Sequence, residues 1–216
     1  MNNDLLVVLI VIVYIAILYT VPIILYKRKK LSGRAARNII HFFAGLSILA
    51  LYFASNKWIF FIAPLGITAI VFFSRKNTPL LNHVYNAIAE DEEKTYLQGP
   101  VLYGLSISYL ILFSIVFNNN LIPLVSTLIL TVSDPLAAIV GKKYGKNVLF
   151  LFGSKRTVEG SISMLISNFI IISIFFGFGM KALAIGFIIT IIELISPSKI
   201  DDFTLPLSAS ILLINY

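Results

Sequence analysis

The sequence predicts an all-α, polytopic integral membrane protein with seven or eight transmembrane segments in a single membrane domain, residues 1–216. Hydrophobic residues make up 58% of the chain and charged residues only 12%, and the mean hydropathy is +0.94. Apolar runs near the length of about 20 residues that a membrane helix needs recur along the whole chain. Cysteine is absent, which excludes disulfides, zinc thiolates and cysteine nucleophiles.

Eight apolar runs define the predicted segments, and short polar stretches separate them. The first run lacks a small-residue cleavage site after it, so we expect a retained span and not a signal peptide. Within the longest polar connection, apolar residues at helical spacing over residues 80–88 predict an interfacial helix. The runs cover residues 5–26, 38–53, 58–73, 100–117, 121–132, 162–178, 182–195 and 205–216.

The distribution of cations predicts the orientation. If the basic loop at residues 27–37 is cytoplasmic and the spans alternate, every Lys and Arg except Lys57 and Lys181 lies on the cytoplasmic side, as the positive-inside rule requires. The N-terminus is then outside the cell membrane. This bias explains the net charge of +7, so no nucleic-acid partner is expected. It does not explain why the acidic residues of the later segments gather near the same face.

The polar stretch at residues 131–160 is the predicted cytoplasmic-face nucleotide and phosphate loop region. It opens with Asp134 at the end of an apolar run, followed by Pro135. Asp as an N-cap with Pro at the first helical position predicts that the fifth span breaks here and that a short helix restarts and stops at Gly145. An ionisable group at such a break is a functional candidate. The alternative is an ordinary capping Asp at the interface.

A basic, glycine-containing segment follows Asp134. Its cations precede the start of the next helix, where free N–H groups favour an anion. The alternative for each cation is positive-inside placement alone, and the segment contains no P-loop motif. The predicted phosphate-binding residues in this segment are Lys142, Lys143, Lys155, Arg156, Thr157, Glu159 and Gly160.

Three acids near the end of the chain form a further group. Glu193 lies within an apolar run, and Asp201 and Asp202 precede a new helical segment. Carboxylates together with phosphate oxygens and water are the usual ligands of Mg²⁺, so Asp134, Asp201 and Asp202 are the predicted metal ligands. A solvated Asp-Asp turn with a structural Glu is the alternative.

One basic pair lies near the start of the second predicted span. Arg37 and His41 are four residues apart and therefore share a helix face. They are predicted to bind phosphate, and a structural role for the His is the alternative.

These stretches resemble the CTP-dependent lipid kinases, a family that includes dolichol kinase, phytol kinase and yeast-type diacylglycerol kinase. The similar motifs run in the family's order from residue 37 to the C-terminus, although Pro135 stands where the family often has a small residue. The short N-terminal region favours the small, phytol-kinase-like branch. The motifs are ARNIIHFFAGL, SDPLAAIVGKKYGKN, SKRTVEGSISM, and Glu193 followed by DDFTLPLSA.

The resemblance implies a phosphotransferase that moves the γ-phosphate of CTP to the hydroxyl of a membrane lipid alcohol of the polyprenol, dolichol or geranylgeraniol/phytol type. It implies Mg²⁺ as cofactor, catalytic roles for Asp134 and Glu193, and an active site that faces the cytoplasm at the bilayer surface. The alternatives are a CTP-dependent cytidylyltransferase that acts on a lipid phosphate, a kinase of a lipid monophosphate, a small membrane transporter, or a structural membrane subunit. The oligomeric state is open.

Overall fold

The computed structural model describes residues 3–73, 98–152, 154–197 and 200–216. The interfacial helix expected at residues 80–88 lies outside these ranges. Clustering of the chain gives two compact units, Met1–Ile111 and Leu112–Tyr216, and each is described here by itself.

The first unit consists of apolar helices and one 3₁₀ segment. Helix α1 packs on α2, and the 3₁₀ segment contacts both α1 and α3. The carboxylate of Asp4 accepts the backbone N–H of Ser55 at 2.6 Å, which ties the start of α1 to the turn before α3. The elements are α1 (Asn3–Lys27), α2 (Gly33–Gly45), the 3₁₀ segment Leu46–Tyr52, α3 (Lys57–Phe73) and most of α4 (Gln98–Phe117).

The second unit contains the remaining helices and a two-stranded antiparallel hairpin. Helix α7 packs between α6 and α8, while α9 contacts α5 and α8. Leu130, Met164, Ile189 and Leu205 are fully buried in its core. The elements are α5 (Leu121–Leu128), the π-helical turn Ile129–Ser133, α6 (Asp134–Tyr144), β1 (Val148–Leu151), β2 (Ser154–Thr157), α7 (Val158–Phe176), α8 (Met180–Ile195) and α9 (Asp201–Leu213).

The predicted all-α membrane class is confirmed. Within the ranges that the structure describes, four stretches of helix are long and apolar enough to cross a bilayer: Asp4–Lys27, Gly99–Phe117, Leu121–Tyr144 and Val158–Phe176. Shorter apolar helices occur at Ile39–Tyr52 and Lys57–Phe73. The total of seven or eight segments stays a prediction. The β1–β2 hairpin was not predicted, because a four-residue apolar run does not distinguish a short strand from a membrane-segment end.

The predicted break at Asp134 is wrong. Asp134 has helical dihedral angles, and its N–H donates to the carbonyl of Ile129, five residues earlier. The helix therefore continues from α5 into α6 through a π-helical turn, and Asp134 is not an extended N-cap residue. A widened turn suits Pro135, which has no N–H and would crowd the carbonyl of Thr131 in a regular α-helix. The last residue of α6 is Tyr144, and Gly145 caps the helix by donating its N–H to the carbonyl of Gly141. The predicted helix stop at Gly145 is therefore confirmed.

Small residues let α6 and α7 approach closely at the polar end of the second unit. A Cβ on Gly160 would lie 2.8 Å from the carbonyl oxygen of Ala137 and 3.4 Å from the Cα of Gly141. A Cβ on Gly141 would lie 2.6 Å from the Thr157 hydroxyl. Ala137, Gly141 and Gly145 follow each other at intervals of four residues, the small-xxx-small spacing that membrane helices use for close packing.

Replacing Gly160 by Ala is expected to lower the free energy of unfolding by about 1–3 kcal/mol, because the new methyl group must push two backbones apart. Gly66→Ala is the matched control: it also lies in a helix, and a Cβ there meets nothing within 4 Å. Thermal unfolding of both variants in detergent measures the difference. Equal stability of the two variants would contradict the close approach of α6 and α7.

Candidate active site

Arg156 forms two salt bridges with acids that lie far from it in the sequence. Its Nη1 is 3.0 Å from Oε1 of Glu193, and its Nη2 donates to Oδ2 of Asp201 at 2.7 Å. The three side chains are largely buried, with 17%, 3% and 12% of their surface exposed for Arg156, Glu193 and Asp201. The cluster joins strand β2, the last turn of α8 and the first residue of α9.

The hairpin places Arg156 in this cluster. In the strand register, Arg156 pairs with Leu149 and Ser154 pairs with Leu151, and side chains alternate between the two faces of a strand. Ser154 therefore shares the inner face with Arg156. It is buried, and its hydroxyl donates to the carbonyl of Ser196 at 3.2 Å. This bond anchors the hairpin to the end of α8.

A second contact links the end of α8 to the start of α9. The hydroxyls of Ser196 and Thr204 are 3.0 Å apart, and the backbone N–H of Asp202 donates to Oδ1 of Asp201 at 2.9 Å. The Asp201 carboxylate is fixed in direction, because its Oδ1 accepts the backbone N–H of Asp202 and its Oδ2 accepts a hydrogen bond from the guanidinium of Arg156. The carboxylate is therefore held from both sides.

Burial and charge act in opposite directions on these groups. Burial alone disfavours the charged guanidinium, but Glu193, Asp201 and Asp134 together raise the pKa of Arg156 above its ordinary value. Burial also raises the pKa of Asp201 to about 6; Asp202 adds to the rise, and Arg156 opposes it. Asp201 therefore takes up a proton just below neutral pH.

The raised pKa of Asp201 makes the stability of the metal-free protein pH-dependent. Because its pKa is higher in the folded chain than the ordinary 3.8, the folded state holds this proton more tightly. The contribution is present below about pH 4 and is lost as the pH rises through 6, a change of roughly 2–3 kcal/mol. The free energy of unfolding, measured from pH 4 to 6.5, should fall with pH more steeply in the wild type than in Asp201→Asn. Identical pH dependence in the two proteins would contradict the raised pKa of Asp201.

The cluster contains more carboxylates than cations. Asp134, at the start of α6, is close enough to contribute to the pKa of Arg156, and the half-buried Asp202 adjoins Asp201. No group of three or more His, Cys, Asp or Glu residues within ligand distance of a common point occurs among the described residues. Mg²⁺ is usually held by only one or two carboxylates, with phosphate and water completing its shell. The residues present therefore fit a magnesium ion that arrives with phosphates.

Two buried polar atoms in this part of the chain have no hydrogen-bond partner within the described residues. They are Nε of Arg156 and the hydroxyl of Ser133, which directly precedes Asp134. Unsatisfied buried groups cost free energy and are uncommon in native proteins. Water or a phosphate oxygen at the site would satisfy Nε of Arg156.

The other predicted residues of this region have different surroundings. Lys142, Lys143 and Lys155 are exposed, and the structure does not bring them into the Arg156 cluster. Their assignment to phosphate binding stays a prediction.

The start of α7 holds the three remaining residues of the predicted phosphate segment. Thr157 caps α7 by accepting the N–H of Gly160 at 3.1 Å, and Gly160 packs against α6. Glu159 accepts the backbone and side-chain N–H groups of Asn147, at 3.3 Å and 3.2 Å from Oε1.

Arg37 and His41 lie in α2, in the first unit. The ring of His41 is 4.5 Å from the ring of Tyr103, whose hydroxyl donates to the carbonyl of His41 at 3.1 Å. The Arg37 side chain is outside the described part of the chain. Their role in phosphate binding is untested.

Sequence reasoning missed Ser154, Ser196 and Thr204, which hold the three parts of the cluster together. Serine and threonine are common at helix ends, so their types alone gave no signal. Each lies within three residues of a charged side chain, in SKR, ELIS and DDFT, and this proximity is the pattern that would have indicated them.

Comparisons with known proteins show similarity to phytol and dolichol kinases. The chain is 26% identical over 198 residues to the phytol kinase of Synechocystis sp., covering 87% of this chain and 82% of that protein. It is 27% identical over 180 residues to the dolichol kinase of Saccharomyces cerevisiae, covering 77% of this chain but 32% of that protein. A probable chloroplastic phytol kinase 2 of Glycine max is 27% identical over 150 residues, covering 68% and 48%.

No protein-family model matches the chain, and no solved structure matches it. The relatives themselves agree with one another: each is named as a kinase of phytol or of dolichol, and the phytol kinase of Synechocystis is matched over most of both chains. The chain is thus similar to phytol and dolichol kinases, and its similarity to the phytol kinase of Synechocystis extends over most of both chains.

Proposed function

We propose that the protein is a CTP-dependent kinase that phosphorylates the hydroxyl of a single-chain lipid alcohol at the cytoplasmic face of the membrane. The observation that carries the proposal is the buried cluster of Arg156, Glu193 and Asp201. It unites, with Asp134 nearby, the separate polar segments that resemble the lipid kinases. Three homologues named as kinases support the same reaction class. CTP and the cytoplasmic face rest on the motif resemblance and on the positive-inside distribution of charge.

The reaction needs charge neutralisation and alignment more than covalent chemistry. Arg156 supplies the permanent positive charge of the site, and Glu193 and Asp201 hold its planar guanidinium in one orientation. Glu193 is therefore a positioning residue. Asp134 is half-buried and is the carboxylate proposed to accept the proton of the lipid hydroxyl. The hydroxyl oxygen then bonds to the γ-phosphorus as the bond to the β-phosphate oxygen breaks, which releases the nucleoside diphosphate.

The metal is assigned to the adjacent acids at the start of α9. Asp202 and Asp201 would hold Mg²⁺, and Asp134 is the third ligand that the sequence predicts. When bound, Mg²⁺ neutralises part of the triphosphate charge. The unsatisfied Nε of Arg156 is a suitable donor to a phosphate oxygen.

An apolar groove on the second unit is proposed to hold the chain of the alcohol. It has a volume of about 370 Å³ and lies between α6 and α7. Along α7 it extends from residue 159 to residue 170, which at 1.5 Å per residue is about 16 Å. This is half the roughly 30 Å thickness of a bilayer core, so the groove suits one chain in one leaflet. Its lining includes Leu136, Val140, Glu159, Ser163, Ile166 and Ile170.

Filling the groove near its polar end is expected to weaken the use of long-chain alcohols. Ser163→Phe places a large side chain in the groove and should raise the KM for a C20 alcohol by roughly tenfold or more, since several methylene contacts of about 0.8 kcal/mol each are lost. Ser163→Ala is the matched control and should behave as wild type. A KM unchanged by Ser163→Phe, with transfer intact, would remove the groove from the proposal and leave the kinase reaction standing.

The proposed reaction is tested with purified protein, Mg²⁺, lipid alcohols of increasing chain length, and CTP labelled separately at the α and γ positions. Label transferred from the γ position to an alcohol is the expected result, with CTP preferred over ATP in competition. Label transferred from the α position to a lipid phosphate would instead identify a cytidylyltransferase. Failure to transfer either label to any lipid would overturn the proposal.

A further inference from the structure

The face of the β1–β2 hairpin opposite Arg156 is unusually apolar for an exposed surface. Phe150 is 75% exposed, Phe152 is 71% exposed, and Val148 is 40% exposed. Val148 and Phe150 alternate with the inward-facing residues of β1, and Phe152 directly follows that strand. Clustered exposed apolar side chains mark a surface that binds another apolar phase or molecule.

Cations accompany these aromatic rings. Lys155 pairs with Phe150 across the strands, and its Nζ is 6.0 Å from the centre of that ring. At the end of α6, Nζ of Lys143 is 5.1 Å from the centre of the exposed Tyr144 ring. Neither lysine is part of the Arg156 cluster. Aromatic rings beside lysines are the combination that binds the headgroup region of an anionic leaflet.

Phe152 occupies a position that an aromatic residue rarely takes. Its φ is 47°, in the left-handed region that Gly, Asn and Asp prefer in tight hairpin turns. A bulky side chain there is strained, so its presence at the tip of the hairpin is not explained by turn formation. Because Phe152 is 71% exposed, its ring is available for a contact outside the protein.

We propose that the outer face of the hairpin, formed by Phe150, Phe152 and Lys155, together with the Lys143–Tyr144 pair at the end of α6, is an interfacial anchor that binds anionic lipid headgroups and inserts both Phe rings at the membrane surface. The inner face of the same two strands carries Arg156 and Ser154. Membrane contact on the outer face therefore holds Arg156 at the level of the interface, independently of which reaction the site performs.

The test uses tryptophan as a depth reporter in the full-length protein in liposomes. Trp58 is the only tryptophan of the chain, so Trp58→Phe gives a silent background for Phe150→Trp and Phe152→Trp. Ile170→Trp, at an exposed position within α7, is the deep reference, and free N-acetyltryptophanamide is the aqueous reference. Emission is recorded in phosphatidylcholine vesicles with and without phosphatidylglycerol, using lipids brominated at shallow or deep chain positions.

The expected result is blue-shifted emission from both hairpin reporters, with stronger quenching by shallow than by deep bromines, and the reverse order for Ile170→Trp. Adding phosphatidylglycerol should increase the shallow quenching, and the double variant Lys143→Gln/Lys155→Gln should abolish that increase. Lys181→Gln, which changes an exposed lysine at the start of α8, should retain it. Water-like emission without bromine quenching would overturn the proposal. Blue-shifted emission that bromolipids do not quench would also overturn it, because the face would then bind protein.

Discussion

Arg156→Met is expected to abolish most phosphate transfer and to destabilise the protein. The substitution leaves Glu193 and Asp201 buried without their counter-ion, which costs about 3–5 kcal/mol when one partner of a buried pair is removed. Loss of one charged donor from a site that stabilises developing charge lowers kcat by roughly 10²–10³-fold. The rate of γ-label transfer measures the loss of activity, and the unfolding midpoint measures the loss of stability.

A second variant separates the two effects of Arg156. In Arg156→Met/Glu193→Gln one buried charge is removed along with its partner, so stability should recover by about half or more of the loss while transfer stays low. Lys146→Met, at an exposed cation of the same region, should match wild type in both measurements. Recovery of transfer in the double variant would show that Arg156 acts only on folding.

Asp134→Asn is expected to reduce kcat by roughly 10²–10⁴-fold, the range for loss of a positioned proton acceptor. The amide is isosteric with the carboxylate, and Asp134 lies at a helix position that Asn tolerates, so the unfolding midpoint should change little. Steady-state transfer with γ-labelled CTP and a lipid alcohol gives kcat, and single-turnover transfer gives the rate constant of the chemical step.

Measurements of nucleotide binding distinguish two roles for Asp134, proton acceptor alone or proton acceptor and metal ligand. If Asp134 only accepts the proton, the Kd for CTP with Mg²⁺ stays near that of wild type. If it also binds the metal, as the sequence predicts, Asp134→Asn weakens CTP binding in the presence of Mg²⁺ but not in its absence. Wild-type transfer by Asp134→Asn would remove Asp134 from the mechanism.

The helices of the second half of the chain follow closely from the sequence. The apolar run at residues 182–195 corresponds to α8, and the acids Asp201 and Asp202 open α9 as expected. These features are local, because apolar length and helix-start chemistry act within a few residues. The predicted break at Asp134 failed for a local reason as well: a π-helical turn accommodates Pro135 without ending the helix, and Pro alone does not distinguish the two outcomes.

The partners of Arg156 depend on long-range packing. The helix start after Arg156 favoured a phosphate as its ligand, with positive-inside placement as the alternative, whereas in the structure Glu193 and Asp201 bind its two amino groups. That pairing requires β2, α8 and α9 to meet, which follows from how α7 packs on α8 and how Ser154 bonds to Ser196. Periodicity within one segment contains no information on such contacts.

The close crossing of α6 and α7 depends on both local sequence and long-range packing. Ala137, Gly141 and Gly145 are visible at four-residue spacing, and Gly160 is visible at the start of the next segment. Their spacing indicates close packing, but it does not name the partner helix. The sequence analysis assigned Gly160 to phosphate binding, and the structure shows it at the crossing of α6 and α7.

The most direct test of the account is transfer of the γ-phosphate of CTP to a C20 alcohol by wild type, Arg156→Met and Lys146→Met, purified and reconstituted side by side. We expect label on the alcohol with wild type and Lys146→Met, and a loss of at least about 10²-fold with Arg156→Met. Equal transfer by all three proteins would contradict an active site built around Arg156, and no transfer by wild type would contradict the kinase itself.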